Sequence, residues 1–113
     1  MSIQTAGQAF YHDQIKLLQD GRTDELIDAH YHQDAKLVSF ADVVHGRDDL
    51  KLYFRAYMAK LGKLEIVSLD NFVETPDSIL FEATVQTSTG QARVYDAFVL
   101  RDGKATHHFA GLK

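Results

Sequence analysis

The chain reads as a single α+β domain, with helices laid on one face of a mainly antiparallel sheet, and three observations predict this. Helical-period apolar patterns dominate the first half of the chain and alternating strand patterns the second. Strand–helix–strand alternation, which would build a parallel sheet, is absent. The 113 residues, 45% hydrophobic and 25% charged, suffice for one core and are too few for two, so residues 1–113 form one domain.

Composition also excludes function classes. A formal net charge of -4 with no lysine or arginine block argues against nucleic acid or an acidic membrane as the main partner. The absence of cysteine removes thiolate nucleophiles, disulfides and cysteine-held metal. Met1 to Phe10 lacks the basic start and apolar centre of a secretory signal, and no run approaches the roughly 18 apolar residues of a membrane span, so the cytoplasm is the default location. The glycines are scattered rather than clustered as a phosphate loop requires, and no cofactor is expected.

From Thr5 to Gln19, Ala6, Ala9, Phe10, Ile15, Leu17 and Leu18 recur near helical spacing, and Asp20-Gly21 ends the element. Thr23 is an N-cap candidate with Asp24 and Glu25 in the first turn, and Leu26, Ile27, His30 and Tyr31 share a face of a short second helix ending near Gln33-Asp34. Ala35 to Phe40 is a short strand and Val43-Val44-His45 a second fragment. Past Gly46, with Asp48 as cap, Leu50, Tyr53, Phe54, Tyr57, Met58 and Leu61 make the apolar stripe of a third helix that Gly62 stops. Leu64 to Val73 is a strand, Thr75-Pro76-Asp77 a turn, and the remaining segments are strands.

The last two hairpins decide which side chains share a face. Around Ser88-Thr89-Gly90, an even-membered loop sets Asp96 across from Ala83, Val94 near Val85 and Phe98 near Phe81, on the apolar face; an odd loop pairs Asp96 with Glu82. The even loop keeps the apolar face continuous. At Arg101-Asp102-Gly103, a three-residue loop sets Asp96 opposite His108, while a two-residue Asp102-Gly103 loop brings His107 and Phe109 to that face instead. The two fits are nearly balanced.

An ionisable carboxyl on an apolar sheet face is costly unless paired or neutral, and marks either a reactive cleft or a buried polar network. Phe81, Val94, Phe98 and the aromatics of the third helix are expected to enclose Asp96. Two readings of His108 stand: an acid/base partner for Asp96, or a core histidine that Asp96 satisfies. His30-x-His32 and His107-His108 have no third ligand at recognised spacing, so no metal site is expected.

Three blocks, GRTDELIDAHYHQDAKLVSF, VVHGRDDLKLYF and VYDAFVLRDGKATHHF, together resemble the SnoaL-like, ketosteroid-isomerase-like branch of the nuclear-transport-factor-2-like superfamily over nearly the whole chain. The resemblance implies a cystatin-like cone, a curved sheet wrapped around a long N-terminal helix with two shorter ones and a pocket at the open end. It places Asp96 where ketosteroid isomerases carry the protonated aspartic acid of their oxyanion hole. Ser39 falls at the general-base position and Gln14 at the oxyanion-hole tyrosine, with Tyr11 one helical turn away. Tyr53 and Phe54 match an aromatic pocket pair with their order exchanged, His108 an inward-facing position, which favours the odd loop at 101–103, and Ala110 the place where epoxide hydrolases of the superfamily keep a catalytic aspartate.

The resulting expectation is a pocket for a small lipophilic molecule lined by these residues together with Ala83. Asp96 and His108 would act as an acid/base pair in isomerisation, cyclisation or dehydration, and Tyr11 or Tyr57 would add a donor. The alternative is a non-catalytic ligand-binding or assembly domain, because one fold hosts many functions. Tyr95, Ala97 and Val99, beside Leu80 and Thr84, leave an apolar strip on the outer sheet face, which predicts a two-fold homodimer.

Overall fold

The computed structural model describes residues 4–113; the first three residues, part of the stretch read for a secretory signal, lie outside it. The elements run α1 (Ala6–Gln19), α2 (Thr23–His30), β1 (Tyr31–Val38), β2 (Val43–His45), α3 (Arg47–Leu61), β3 (Leu64–Thr75), β4 (Ser78–Thr87), β5 (Gly90–Arg101) and β6 (Lys104–Leu112). The strands form one sheet in the order β2-β1-β6-β5-β4-β3. Every pairing is antiparallel except β1 with β6, which joins the first strand to the last.

Helix α1 begins at a reciprocal cap: the Gln8 N–H donates to the Thr5 hydroxyl at 3.1 Å, and the Thr5 N–H to the Gln8 side chain at 3.0 Å. The Glu74 carboxylate of β3 joins it, accepting from the Thr5 hydroxyl and from the Gly7 N–H at 3.2 Å. An acid there meets the positive end of the helix and ties α1 to the far edge of the sheet. Gly7 permits the approach, since a Cβ would lie 2.8 Å from Ile79 Cγ2.

The core lies between α1, α2 and the inner sheet face, where Phe10, Leu26, Ile27, Tyr31, Leu37, Phe81 and Phe98 are buried. Several boundaries differ from expectation. Thr23 is already the first residue of α2 and Arg22 holds the cap position, with no side-chain cap hydrogen bond, and β1 runs Tyr31–Val38 rather than from Ala35 to Phe40. Helix α2 stops at His30 and Tyr31 opens β1, because Tyr31 and Ala35 bury on the sheet face and leave Gln33 and Asp34 exposed. Gly46, not Asp48, caps α3, since the chain enters at φ 89°, a conformation that favours glycine. Asp48 and Asp49 occupy its first turn.

Helix α3 packs on α2, β1 and β2. Leu50 and Phe54 are buried, while Tyr53, Tyr57, Met58 and Leu61 of the same stripe stay half-buried. The second half of that stripe overhangs the inner face without closing on it.

The first hairpin loop is even, as expected, but the pairing it sets is offset by two residues from the expected one. Ser88-Thr89 alone separates Thr87 from Gly90, so Asp96 pairs with Phe81, Val94 with Ala83 and Phe98 with Ile79. Loop parity chooses the face and loop length chooses the partner, so a two-residue difference moved the pairing and kept Asp96 inside.

The second hairpin departs from both alternatives. Asp102 (φ 55°) and Gly103 (φ 78°) form a two-residue turn with Arg101 paired to Lys104, the arrangement expected to turn His107 inward. The register then shifts between Val99 and Leu100, so that Leu100 pairs with Ala105 and Val99 with His107. Thr106 is the extra residue of a bulge, its hydroxyl donating to the Val99 carbonyl at 3.2 Å. Beyond it alternation resumes out of phase, and His108 is buried inside.

Candidate active site

Asp96 projects from the middle of β5, and His108 from β6 faces it diagonally, His108 Nε2 lying 2.7 Å from Asp96 Oδ1. The two are not cross-strand partners; Asp96 pairs with Ala110 and His108 with Phe98. The His108 ring stacks on Phe98 at a centroid distance of 4.0 Å, with Phe54 at 6.4 Å across it.

The other ring nitrogen, His108 Nδ1, lies 2.8 Å from the Tyr31 hydroxyl. Gln14 Nε2 donates to that hydroxyl at 3.1 Å, and its Oε1 stands 2.7 Å from His30 Nδ1. His30 Nε2 meets Asp13 Oδ2 at 2.7 Å at the surface. A continuous polar chain therefore crosses the core from Asp13 to Asp96. Among the described residues no buried side-chain nitrogen or oxygen lacks a partner, as low-dielectric surroundings require.

Four tyrosines feel the charge of Asp96. Burial raises the pKa of Tyr11, Tyr31 and Tyr57 first and the aspartate adds to it, at Tyr31 against the hydrogen bond from Gln14; for Tyr53, Asp42 contributes between the two. Tyr53 and Tyr57 lie with rings nearly parallel, 6.2 Å apart, on the overhanging half of α3. Tyr11 sets its ring edge against Phe81 at 4.8 Å. All four phenols stay protonated near neutral pH; the Tyr31 hydroxyl is taken up by Gln14 and His108, which leaves Tyr11, Tyr53 and Tyr57 as donors.

The remaining candidates divide. Phe81, Ala83 and Phe98 are buried inner-face residues; Val94, two residues before Asp96 on β5, and Ala110, the partner of Asp96 on β6, are half-buried. Ser39 stands in the β1–β2 turn, its hydroxyl accepting from the Asp42 N–H at 3.0 Å and the Ala41 N–H at 3.3 Å. Gln14 is a link in the buried chain rather than a donor beside Asp96. His32 donates to the Arg101 carbonyl at 2.6 Å while His30 faces α1, so that pair points apart.

Sequence reasoning missed Tyr31, His30 and Asp13. A signal was present: Asp13-Gln14 and His30-Tyr31 are two polar dipeptides of which Gln14, His30 and Tyr31 are buried, and each partner pair is separated by 17 residues. Two surface recesses lie away from Asp96. One of about 390 Å³ is lined by His32, Lys36, His45, Arg101 and His107, among others, and a second of about 620 Å³ by residues around Arg47.

The profile of the SnoaL-like domain family matches residues 9–108. No curated protein matches the sequence. Among solved structures the fold is similar to a candidate isomerase of the SnoaL-like family from Agrobacterium tumefaciens (TM-score 0.82, 13% identity, 97% of this chain and 99% of that one). It is similar to an NTF2-like protein from Anabaena variabilis (TM-score 0.81, 17% identity, 100% and 94%). It is also similar to TerC, crystallised with polyporic acid (TM-score 0.79, 18% identity, 96% and 92%).

Proposed function

We propose, from the premise that this chain belongs to the SnoaL-like domain family, that it is a small-molecule enzyme using Asp96 and His108 in acid/base chemistry on a lipophilic substrate. The observation that carries this reading is the 2.7 Å contact of His108 with an aspartate that is still partly open to solvent and whose charge reaches four tyrosines. The roles divide by access. Both ring nitrogens of His108 are engaged and the ring is buried, so His108 holds Asp96 rather than touching substrate. Asp96 Oδ1 faces the ring, and Oδ2 is left to take a proton from a carbon acid or return one.

A substrate carbonyl developing negative charge would accept from Tyr53, Tyr57 or Tyr11, as an oxyanion requires. Isomerisation of an enone, ring closure and dehydration share this demand for one base and one donor. That TerC, of similar fold, was co-crystallised with polyporic acid supports a small-molecule reading. Turnover of candidate enones and polyketide-like carbonyl compounds, by the protein and by Asp96→Asn, tests the reading. Saturable binding without product by either would sink catalysis and leave the ligand-binding alternative, which the complete internal satisfaction of His108 favours.

The outer sheet face is the assembly surface in this proposal. Val43, Val38, Phe109, Ala97, Leu80 and Val73 are paired in succession and form an apolar row with one member from every strand. A row of that length suits a self-complementary two-fold contact. Light scattering at micromolar concentration is expected to give twice the mass of one chain, and the single-chain mass would refute it.

A further inference from the structure

The recess of about 390 Å³ opens where two strands of the sheet part. Residues 32–35 of β1 stand against Thr106 alone on β6, because the register passes from Tyr31–Ala105 directly to Lys36–His107. Thr106 is the bulged residue toward β5 as well, so it is unmatched on both sides. The gap is held from its two flanks. The Gly46 N–H draws the Ala35 carbonyl away from β6 at 2.8 Å, and His32 reaches across to the Arg101 carbonyl at 2.6 Å.

Around this gap the lining is basic, in a chain whose net charge is -4. His45, Lys36 and His107 are successive cross-strand partners on β2, β1 and β6, on the outer face beside Val43, Val38 and Phe109. Arg101 enters from the last residue of β5. Asp34 is the one acid of the lining, and among the described residues neither Lys36 nor Arg101 forms an ion pair with it or with another carboxylate. Like charges directly opposite on neighbouring strands destabilise a sheet, so Lys36 between two histidines becomes a cost whenever either ring is protonated, and an anion would remove it.

We propose that this recess binds the phosphate group of a small molecule, with Lys36 and Arg101 holding its oxygens and His107 making a third contact that takes up a proton. The inference rests on neither the acid/base nor the assembly reading. Two permanent cations repel a metal ion and attract an anion, and the planar fork of arginine matches phosphate oxygens. His107 Nδ1 lies 3.1 Å from the Thr106 hydroxyl, whose own hydrogen goes to the Val99 carbonyl, so Nδ1 carries the hydrogen and donates. The ring lies nearly parallel to that of Phe109, 6.0 Å away. Its Nε2 therefore holds a lone pair in the neutral form and must gain a proton to face an anion. The titratable and charged groups around it are His32, Asp34 and Lys36 from β1, His45 from β2 and Arg101 from β5. With His107 protonated and the other two rings neutral, three positive charges against that of Asp34 leave a net of two, which suits a phosphate monoester dianion. The recess has the size of a small-ligand pocket, so the body of the ester has room beside its phosphate.

Calorimetric titration of the whole protein with phenyl phosphate, in phosphate-free buffer at about pH 7, tests this. Saturable binding is expected, and Lys36→Gln and Arg101→Gln should each weaken it at least about tenfold, as loss of a hydrogen bond between charged groups does. Lys60→Gln, which removes an exposed lysine of α3, is the charge control and should leave the affinity unchanged. Titration without saturation, or equal weakening by Lys60→Gln, would overturn the site. Succinate presents a dianion without three oxygens on one centre and should bind at least about tenfold more weakly; equal affinity would overturn the phosphate assignment. Ring-nitrogen NMR gives a second readout: His107 Nε2 is expected to gain hydrogen as phenyl phosphate binds, and a ring still neutral in the saturated protein would refute the proposed contact. Lys36, Arg101 and Lys60 are all exposed, so their variants report on binding rather than on folding.

Discussion

Two aspartate–histidine pairs of equal length, Asp13–His30 and Asp96–His108 at 2.7 Å each, stand at opposite ends of the same buried chain. Their rings are similarly covered, at 9% and 6% exposure, but the acids differ: the Asp13 side chain is 56% exposed and that of Asp96 only 18%. Distance therefore does not separate a reactive pair from a supporting one; surroundings do. Asp13 is largely open to solvent, whereas Asp96 is mostly covered and its charge reaches Tyr11, Tyr31, Tyr53 and Tyr57. Acid/base roles follow from such unequal environments.

The comparison can be broken first by chemistry. Asp96→Asn is expected to lower turnover of a competent substrate by about 10²–10⁴-fold, the usual worth of a positioned acid or base, and Asp13→Asn by no more than about tenfold. Equal losses from the two variants would show that the ends are not specialised. Next comes the wall that both rings share: Phe98 stacks on His108 and sets its edge on Phe10 at 5.1 Å, and Phe10 stacks on His30 at 4.5 Å. Phe98→Ala should cost about 3–5 kcal/mol in denaturant unfolding, and a loss below about 1 kcal/mol would mean the wall is not part of the core.

Tyr31→Phe keeps the ring and deletes the oxygen, leaving the Gln14 amide and His108 Nδ1 facing each other without their bridge. A loss of about 1–3 kcal/mol is expected from the unsatisfied groups; a neutral outcome would mean water replaces the hydroxyl. Glu74→Gln weakens the shared cap of α1 and should cost about 1 kcal/mol, with both histidine pairs unchanged by NMR.

The smallest effect concerns pH. Burial depresses the folded pKa of His30 below its ordinary value of 6.5, with Asp13 opposing. The unfolded chain then holds more protons than the folded one, so this residue's contribution to stability is present above the ordinary value and declines as pH falls through it toward the folded value. Asp13→Asn removes the opposing pull on His30 and should deepen that decline in chemical denaturation between about pH 7 and about pH 5; a shallower one would mean that His30 is not held neutral.

Much of the layout was legible because it rests on period and punctuation. Gly62 stopped α3 and Val43–His45 formed β2 as the pattern required, and the alternation Ile79-Phe81-Ala83-Val85 fixed the inner face of β4. Asp96 announced itself as a carboxyl on an apolar face. The positions of Ser39 and Gln14 came from resemblance, and neither is placed in contact with Asp96: one is bound into a turn and the other into the buried chain. The chain itself was hidden because its links join α1 to the α2–β1 boundary, and that boundary, read as helix to near Gln33-Asp34, concealed which face the Tyr31 hydroxyl takes. The bulge left no local trace; Thr106 is an ordinary strand residue.

That bulge gives β6 something like a reading frame with one removable letter. The turn at Asp102-Gly103 and the segment from His107 onward are each locked to their own partners, and Thr106 absorbs the mismatch between them. Deleting Thr106 would leave Val99 opposite His107 and Phe98 opposite His108, with the message downstream unaltered. Deleting His107 instead would leave Thr106 to pair in its place. Loss of a residue from the hairpin is thus tolerable upstream of His108, while one residue inserted after it would carry Ala110 and all that follows to the wrong side of the sheet.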